Sequence, residues 1–133
     1  MSGSHRKWVM AGQGRWHVQW LDDGNFKIEH ECDNLTDKSV EEWGAWMDNQ
    51  IYERFGDNPP SLNAASLNFS RNGLGDAAVQ TLVEYLRSRN ISVTILKLFR
   101  NSIGDVGAWA LGQLLAHSEE PVHEVHLSHN FLT

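Results

Sequence analysis

The 133-residue chain is poor in several things, and each scarcity narrows the answer. It has one cysteine, Cys32, so no internal disulfide can form, and a small secreted scaffold held by such bridges is excluded. No apolar run approaches the roughly 18 residues that a membrane span needs. Met1-Ser-Gly-Ser-His5-Arg-Lys7 has no apolar stretch behind its basic residues and does not read as a signal peptide. The expectation is an intracellular, cytoplasmic chain without a membrane partner. The sequons at Asn34, Asn68 and Asn90 then read as chance matches. Positive charge is not in excess either. The net charge is −6, which opposes binding to a phosphate backbone, so no nucleic-acid partner is expected.

Chemistry is also scarce. The chain has no G-x-S-x-G, no Walker loop, no H-E-x-x-H and no paired C-x-x-C. His30 and Cys32 stand two apart at a strand end, and the sequence supplies no third group to orient the histidine. His123, His126 and His129 invite a metal reading, but a strand would separate them. A solvated face accounts for them better. Gly73 and Gly75 sit in a strand-to-helix bend rather than a phosphate cradle. Neither an enzyme nor a cofactor is expected. What remains is ordinary for a folded domain: 41% hydrophobic and 21% charged residues argue against disorder.

The chain does contain a repeat. Leu67-Asn-Phe-Ser-Arg-Asn72-Gly-Leu74, Leu96-Lys-Leu-Phe-Arg-Asn101-Ser-Ile103 and Val125-His-Leu-Ser-His-Asn130-Phe-Leu132 all follow L-x-L-x-x-N-x-L, offset by 29 residues each time. Behind the first two, Gly75-Asp76 matches Gly104-Asp105, Leu82 matches Leu111 and Leu86 matches Leu115. Alternation at 67 and 69 predicts a short strand with both residues on one face. The asparagine amide can bond backbone groups in the bend, so stacked repeats would align Asn72, Asn101 and Asn130 in a ladder. Asp76 and Asp105 sit where an N-cap belongs. Val79, Leu82, Val83 and Leu86 recur at helical spacing, as do Ala108, Leu111, Leu114 and Leu115.

These segments resemble the ribonuclease-inhibitor-like class of leucine-rich repeats. Ile103-Gly-Asp-Val-Gly-Ala-Trp-Ala-Leu111 is close to that class's helix start, and Leu74-Gly-Asp-Ala-Ala-Val-Gln-Thr-Leu82 departs only at Ala77 and Ala78. The resemblance covers about residues 62–133, as two complete repeats and a third cut short. It implies an α/β solenoid, a short horseshoe with parallel strands on its concave side, and a protein-binding role.

Residues 1–61 follow a different pattern. Trp16, Val18 and Trp20 alternate, Asp22-Asp-Gly24-Asn turns, and Phe26 and Ile28 alternate again: a hairpin. A shorter strand at Trp8-Val-Met10 precedes Gly12 and Gly14. Ser39 with Glu42 reads as a capping box. Val40, Trp43, Met47 and Ile51 then form a helical stripe, with Trp46 and Phe55 near its edge, until Gly56 and Asn58-Pro-Pro60 end the helix. Strand 26–30, helix 38–55 and strand 66–69 would form one βαβ unit, and the Trp-rich hairpin would cap the N-terminal end of the core. The two parts together make one structural domain. The alternative use of Trp8, Trp16 and Trp20 is a ligand-recognition surface for a glycan, a peptide tail or a modified lysine.

Strand residues pointing away from the core would line the concave face. Most, such as Ser66, Asn68, Ser70, Glu124 and Ser128, need only solvation. Phe99 does not fit that account, because its counterparts are Ser70 and Ser128. Phe99 and Arg100 are the expected binding anchors, with Arg71, Lys97 and His126 around them. The competing account packs Phe99 against a neighbouring side chain. The third repeat has no helix before Thr133, which leaves Val125, Leu127 and Leu132 uncovered. A longer horseshoe, or a homodimer through the open C-terminal edge, would cover them.

Overall fold

In the computed structural model, which describes residues 15–117 and 122–131, the repeat becomes a register. The strands are β1 (Gln19–Trp20), β2 (Asn25–Glu29), β3 (Asn63–Asn68), β4 (Ser92–Val93), β5 (Ile95–Lys97) and β6 (Glu124–His126). The helices are α1 (Asp37–Phe55), α2 (Asp76–Ser88) and α3 (Asp105–His117). They form one sheet in the order β1-β2-β3-β5-β6, with β4 also on β3. Leu67 lies beside Leu96, and Leu96 beside Val125, so neighbouring parallel strands align at the 29-residue offset of the sequence. The strand expected at 8–10, with Gly12 and Gly14, and the chain end at 132–133 lie outside the described residues.

Between β2 and β3 the spacing is wider. Asn25 lies beside Asn63 and Ile28 beside Leu67, with an irregularity after Phe26. This first β-α-β unit holds a 19-residue helix, whereas α2 and α3 have 13 residues each. Despite the insertion, the turn after β2 repeats the later turns. Cys32 (φ 62°), Arg71 (58°), Arg100 (56°) and His129 (60°) all take the left-handed conformation, which costs a non-glycine residue about 1–2 kcal/mol.

The ladder of asparagines offsets that cost. Asn101 Oδ1 accepts the N–H groups of Asn72 (3.0 Å) and Leu74 (3.2 Å), while its Nδ2 donates to the Phe69 and Leu98 carbonyls. Asn72 accepts from Asp33 and Leu35 N–H, and Asn130 accepts from Ile103 N–H. Each amide thus ties its own turn to the one before. Asp33 stands at the corresponding place in the first turn and bonds His30 Nδ1 at 2.9 Å instead.

The helix starts correct two expectations. Gly75, not Asp76, is the N-cap of α2, and it offers no side-chain cap. Asp76 is already helical, and its Oδ1 accepts the N–H groups of Gly104 (2.7 Å) and Gly107 (3.0 Å) at the start of α3. Asp37 does the same for Gly75 at 2.6 Å. The aspartates therefore cap the next helix, where unpaired N–H groups and the dipole favour an anion. Gly107 is needed there: a Cβ would stand 2.7 Å from Asp76 Oδ1 and from Ile103 Cγ2. Likewise, α1 starts from Thr36, whose N–H donates to Ser39 Oγ at 3.0 Å, so Ser39 is the third helical residue rather than the cap. Gly56 (φ 69°) ends α1 with its N–H on the Tyr52 carbonyl.

The helices cover one face of the sheet. Phe26, Ile28, Leu67, Phe69, Leu96 and Leu98 are fully buried against Trp43, Met47, Leu82, Leu86 and Leu111. Each such side chain contributes about 1.5–3 kcal/mol on leaving water. Between α1 and α2, the Tyr85 hydroxyl donates to Asp48 Oδ1 (3.0 Å), and Arg89 holds the same carboxylate at 2.7 and 2.8 Å. Burial, with the Asp48 charge second, pushes the Tyr85 hydroxyl well above the ordinary tyrosine range. Leu115 departs from its expected place in the helical core. It is 45% exposed where its counterpart Leu86 is 1% exposed, because among the described residues no helix follows α3.

The first strand of the hairpin is shorter than the alternation suggests. Only Gln19 and Trp20 pair with β2. At His17 the ladder is replaced by a side chain: the His17 N–H donates to His30 Nε2 at 3.1 Å. Trp16 is nevertheless buried, edge-on to His30 with 5.1 Å between ring centroids.

Candidate functional site

The sheet face away from the helices carries the residues between core positions. Solvation does not explain three of them. Ser66, Asn68 and Ser70 are 5%, 3% and 0% exposed. Ser66 Oγ donates to Glu29 (2.7 Å), and Asn68 Nδ2 donates to Glu29 and to Glu31 (3.1 Å each). Ser70 Oγ accepts the Phe99 N–H at 3.0 Å. Buried polar atoms need such partners, and the carboxylates of the first unit supply most of them. Glu29 and Glu31 were absent from the expected site. The alternation of Phe26 and Ile28 into the core was the signal that sends Glu29 to this face.

Phe99 and Arg71 come together. The Arg71 guanidinium lies 5.6 Å from the centre of the Phe99 ring, while its Nε holds Glu31 Oε2 at 2.8 Å. Phe99 is half-buried, so the ring both packs against a neighbouring side chain and keeps part of its surface in solvent. Lys97 is flanked in register by Asn68 and His126. His126 Nε2 bonds Glu124 Oε1 at 3.0 Å. Arg100 is exposed in the left-handed turn, its N–H on the Ser128 carbonyl. Both signs of charge occur at each end of the face: Lys27 and Glu29 on β2 with Glu31 in the turn after it, and Lys97, Arg100 and Glu124 toward β5 and β6. An anionic side chain could pair with the guanidinium of Arg100, and an apolar one could cover the free part of Phe99.

His30 does have an orienting group, Asp33, contrary to the sequence expectation. It still does not activate Cys32, because its second nitrogen accepts the His17 N–H. Cys32 itself is exposed. Among the described residues no three His, Cys, Asp or Glu side chains converge as metal ligands, and no helix is long and apolar enough to cross a membrane. Trp16 and Trp20 do not form an open cage. Trp20 contacts Phe26 and Phe55 at ring-centre distances of 5.5 and 5.3 Å, with Arg54 over its ring. Trp8 lies outside the described residues.

A shallow groove of about 720 Å³ also runs between α2 and α3, lined by Val83, Glu84, Arg87 and the exposed Trp109. It brings together none of the site residues expected from the sequence.

Residues 89–112 match the family model described as a leucine-rich repeat. No curated protein matches the chain. The matched segment covers β4, β5, Asn101 and the first turns of α3, which is one strand–turn–helix unit. Repeats of this kind serve in general as protein-interaction modules.

Proposed function

We propose that this chain, with a leucine-rich repeat at residues 89–112, binds a protein partner on the open face of its sheet. Phe99 and Arg100 are the anchors, and Arg71, Lys97 and His126 surround them. The observation that carries the proposal is the half-buried Phe99 ring, held by Arg71, whose guanidinium Glu31 holds in turn. In this reading residues 62–133 form a short ribonuclease-inhibitor-like horseshoe whose concave side is that face. Residues 1–61 are its Trp-rich cap, continuous with it in one domain. The role is that of a non-catalytic scaffold inside the cell, needing neither cofactor nor nucleic acid.

Capture of a partner from the source cell tests the proposal. Phe99→Ala and Arg100→Glu should each weaken capture about tenfold or more, as central aromatic and arginine anchors do. Capture unchanged in both variants rejects the site. The rival ligand-recognition surface on the Trp-rich segment is less well supported, because Trp16 is 5% exposed and the Trp20 ring is already engaged.

A further inference from the structure

The outer edge of β6 differs from every other strand position in the repeat. Val125 and Leu127 are half-buried, although their counterparts Leu67, Leu96, Phe69 and Leu98 are at most 1% exposed. Leu115 and Phe131, at the same end, are 45% and 69% exposed. The first strand pair of the sheet is closed by β1, but among the described residues no strand pairs with β6 on its far side.

The backbone at this edge has a defined polarity. The Leu98 N–H donates to the His126 carbonyl, the Arg100 N–H donates to the Ser128 carbonyl, and the Glu124 N–H donates to Thr94 on the same side. Backbone groups of alternate strand residues point in opposite directions, so those of Val125 and Leu127 point outward. The side chains alternate as well. Val125 faces the helices, while Glu124 and His126 lie on the open face and bond each other at 3.0 Å.

We propose that β6 pairs antiparallel with β6 of a second copy of this chain, across a twofold axis at Val125. This proposal does not rest on partner binding at Phe99. The sequence Glu124-Val125-His126 is complementary to itself in that arrangement. The two Val125 residues exchange both N–H···O bonds, which makes them a hydrogen-bonded pair. Glu124 then faces His126 of the second copy, and His126 faces its Glu124. Those are non-hydrogen-bonded positions, where cross-strand side chains approach most closely. Lys97, beside His126 in register, adds a cation next to each Glu124–His126 pair. A strand from an unrelated protein would need a base and an acid spaced by one residue; this edge already carries both. The isologous contact closes on itself and joins two sheets into one.

Sedimentation of the full chain across a concentration series tests the proposal. The mass should rise from 15.1 kDa to twice that value. Val125→Pro removes an N–H that points away from β5, so it should leave a folded chain of single mass. Glu124→Lys replaces the carboxylate that faces each His126 with a hydrogen-bond donor that the ring cannot pair as Glu124 did, and should weaken the dimer about tenfold. The exchanged variant Glu124→His with His126→Glu keeps the complementarity and should restore association to within about threefold of wild type. A single mass at every concentration overturns the proposal. So does a dimer that Glu124→Lys does not weaken, or an exchanged variant that associates no better than Glu124→Lys.

Discussion

The two ends of the sheet are built from the same strand and turn, yet they differ in cover. At the first end, β2 is flanked by β1, Phe26 and Ile28 are fully buried, and Trp16 lies over His30. At the other end, β6 has the same left-handed turn and a ladder asparagine, Asn130, where the first end has Asp33, but Val125 and Leu127 are half-buried. The ladder is therefore not what closes an end. It fixes register, while burial of the outermost side chains needs an added element.

The largest effect expected is in the covered half. Trp43 is 1% exposed and packs against Phe69 and Tyr85, so Trp43→Ala should cost about 3–5 kcal/mol in chemical denaturation. Leu127→Ala at the uncovered end should cost about 1 kcal/mol, since less surface is buried there. Equal costs would erase the distinction between the ends.

Next come the ladder positions. Asn101→Ala strands two N–H groups in the interior, while the Phe69 and Leu98 carbonyls keep the amides of Asn72 and Asn130, and should cost about 3 kcal/mol, against about 1 kcal/mol for the half-exposed Asn130→Ala. Thermal melts of the pair check this.

A third effect appears at high pH. Tyr85 is held neutral in the folded chain, and in the unfolded chain it ionises near pH 10. Above that pH the unfolded state binds fewer protons than the folded state, so stability falls as pH rises, at a limiting slope of about 1.4 kcal/mol per pH unit. Below it Tyr85 contributes no pH dependence. In Tyr85→Phe this alkaline loss should disappear from a denaturation series.

The smallest effect is at Leu115. Leu115→Ala should change stability by about 0.5 kcal/mol or less, whereas Leu86→Ala, one repeat earlier, should cost about 2–4 kcal/mol.

Much of this contrast was legible in the sequence. The 29-residue offset carries both the strand register and the asparagine ladder, because side chains spaced by a whole repeat meet one strand apart. The first unit was harder. Its longer α1 breaks the offset, so the equivalence of Asp33 to Asn72 is hidden until the strands are aligned. That same shift concealed Glu31 as the partner of Arg71 and Asn68. Ser66, Asn68 and Ser70 looked like solvated residues, since polarity alone does not reveal that carboxylates from a distant strand will cover them. Phe99 stood out because its counterparts are serines. Its contact with Arg71 depends on the turn after β3, whose left-handed geometry an arginine does not announce.

Amide hydrogen exchange on the Val125→Pro chain tests the difference between the ends most directly. The N–H groups of His30, Phe69 and Leu98 each donate to the next strand's carbonyl, on Asn68, Lys97 and His126. Protection should be similar at His30 and Phe69 and at least about tenfold lower at Leu98, whose acceptor strand opens first. Equal protection at all three would contradict the account, because β6 would then be as firmly held as the covered end.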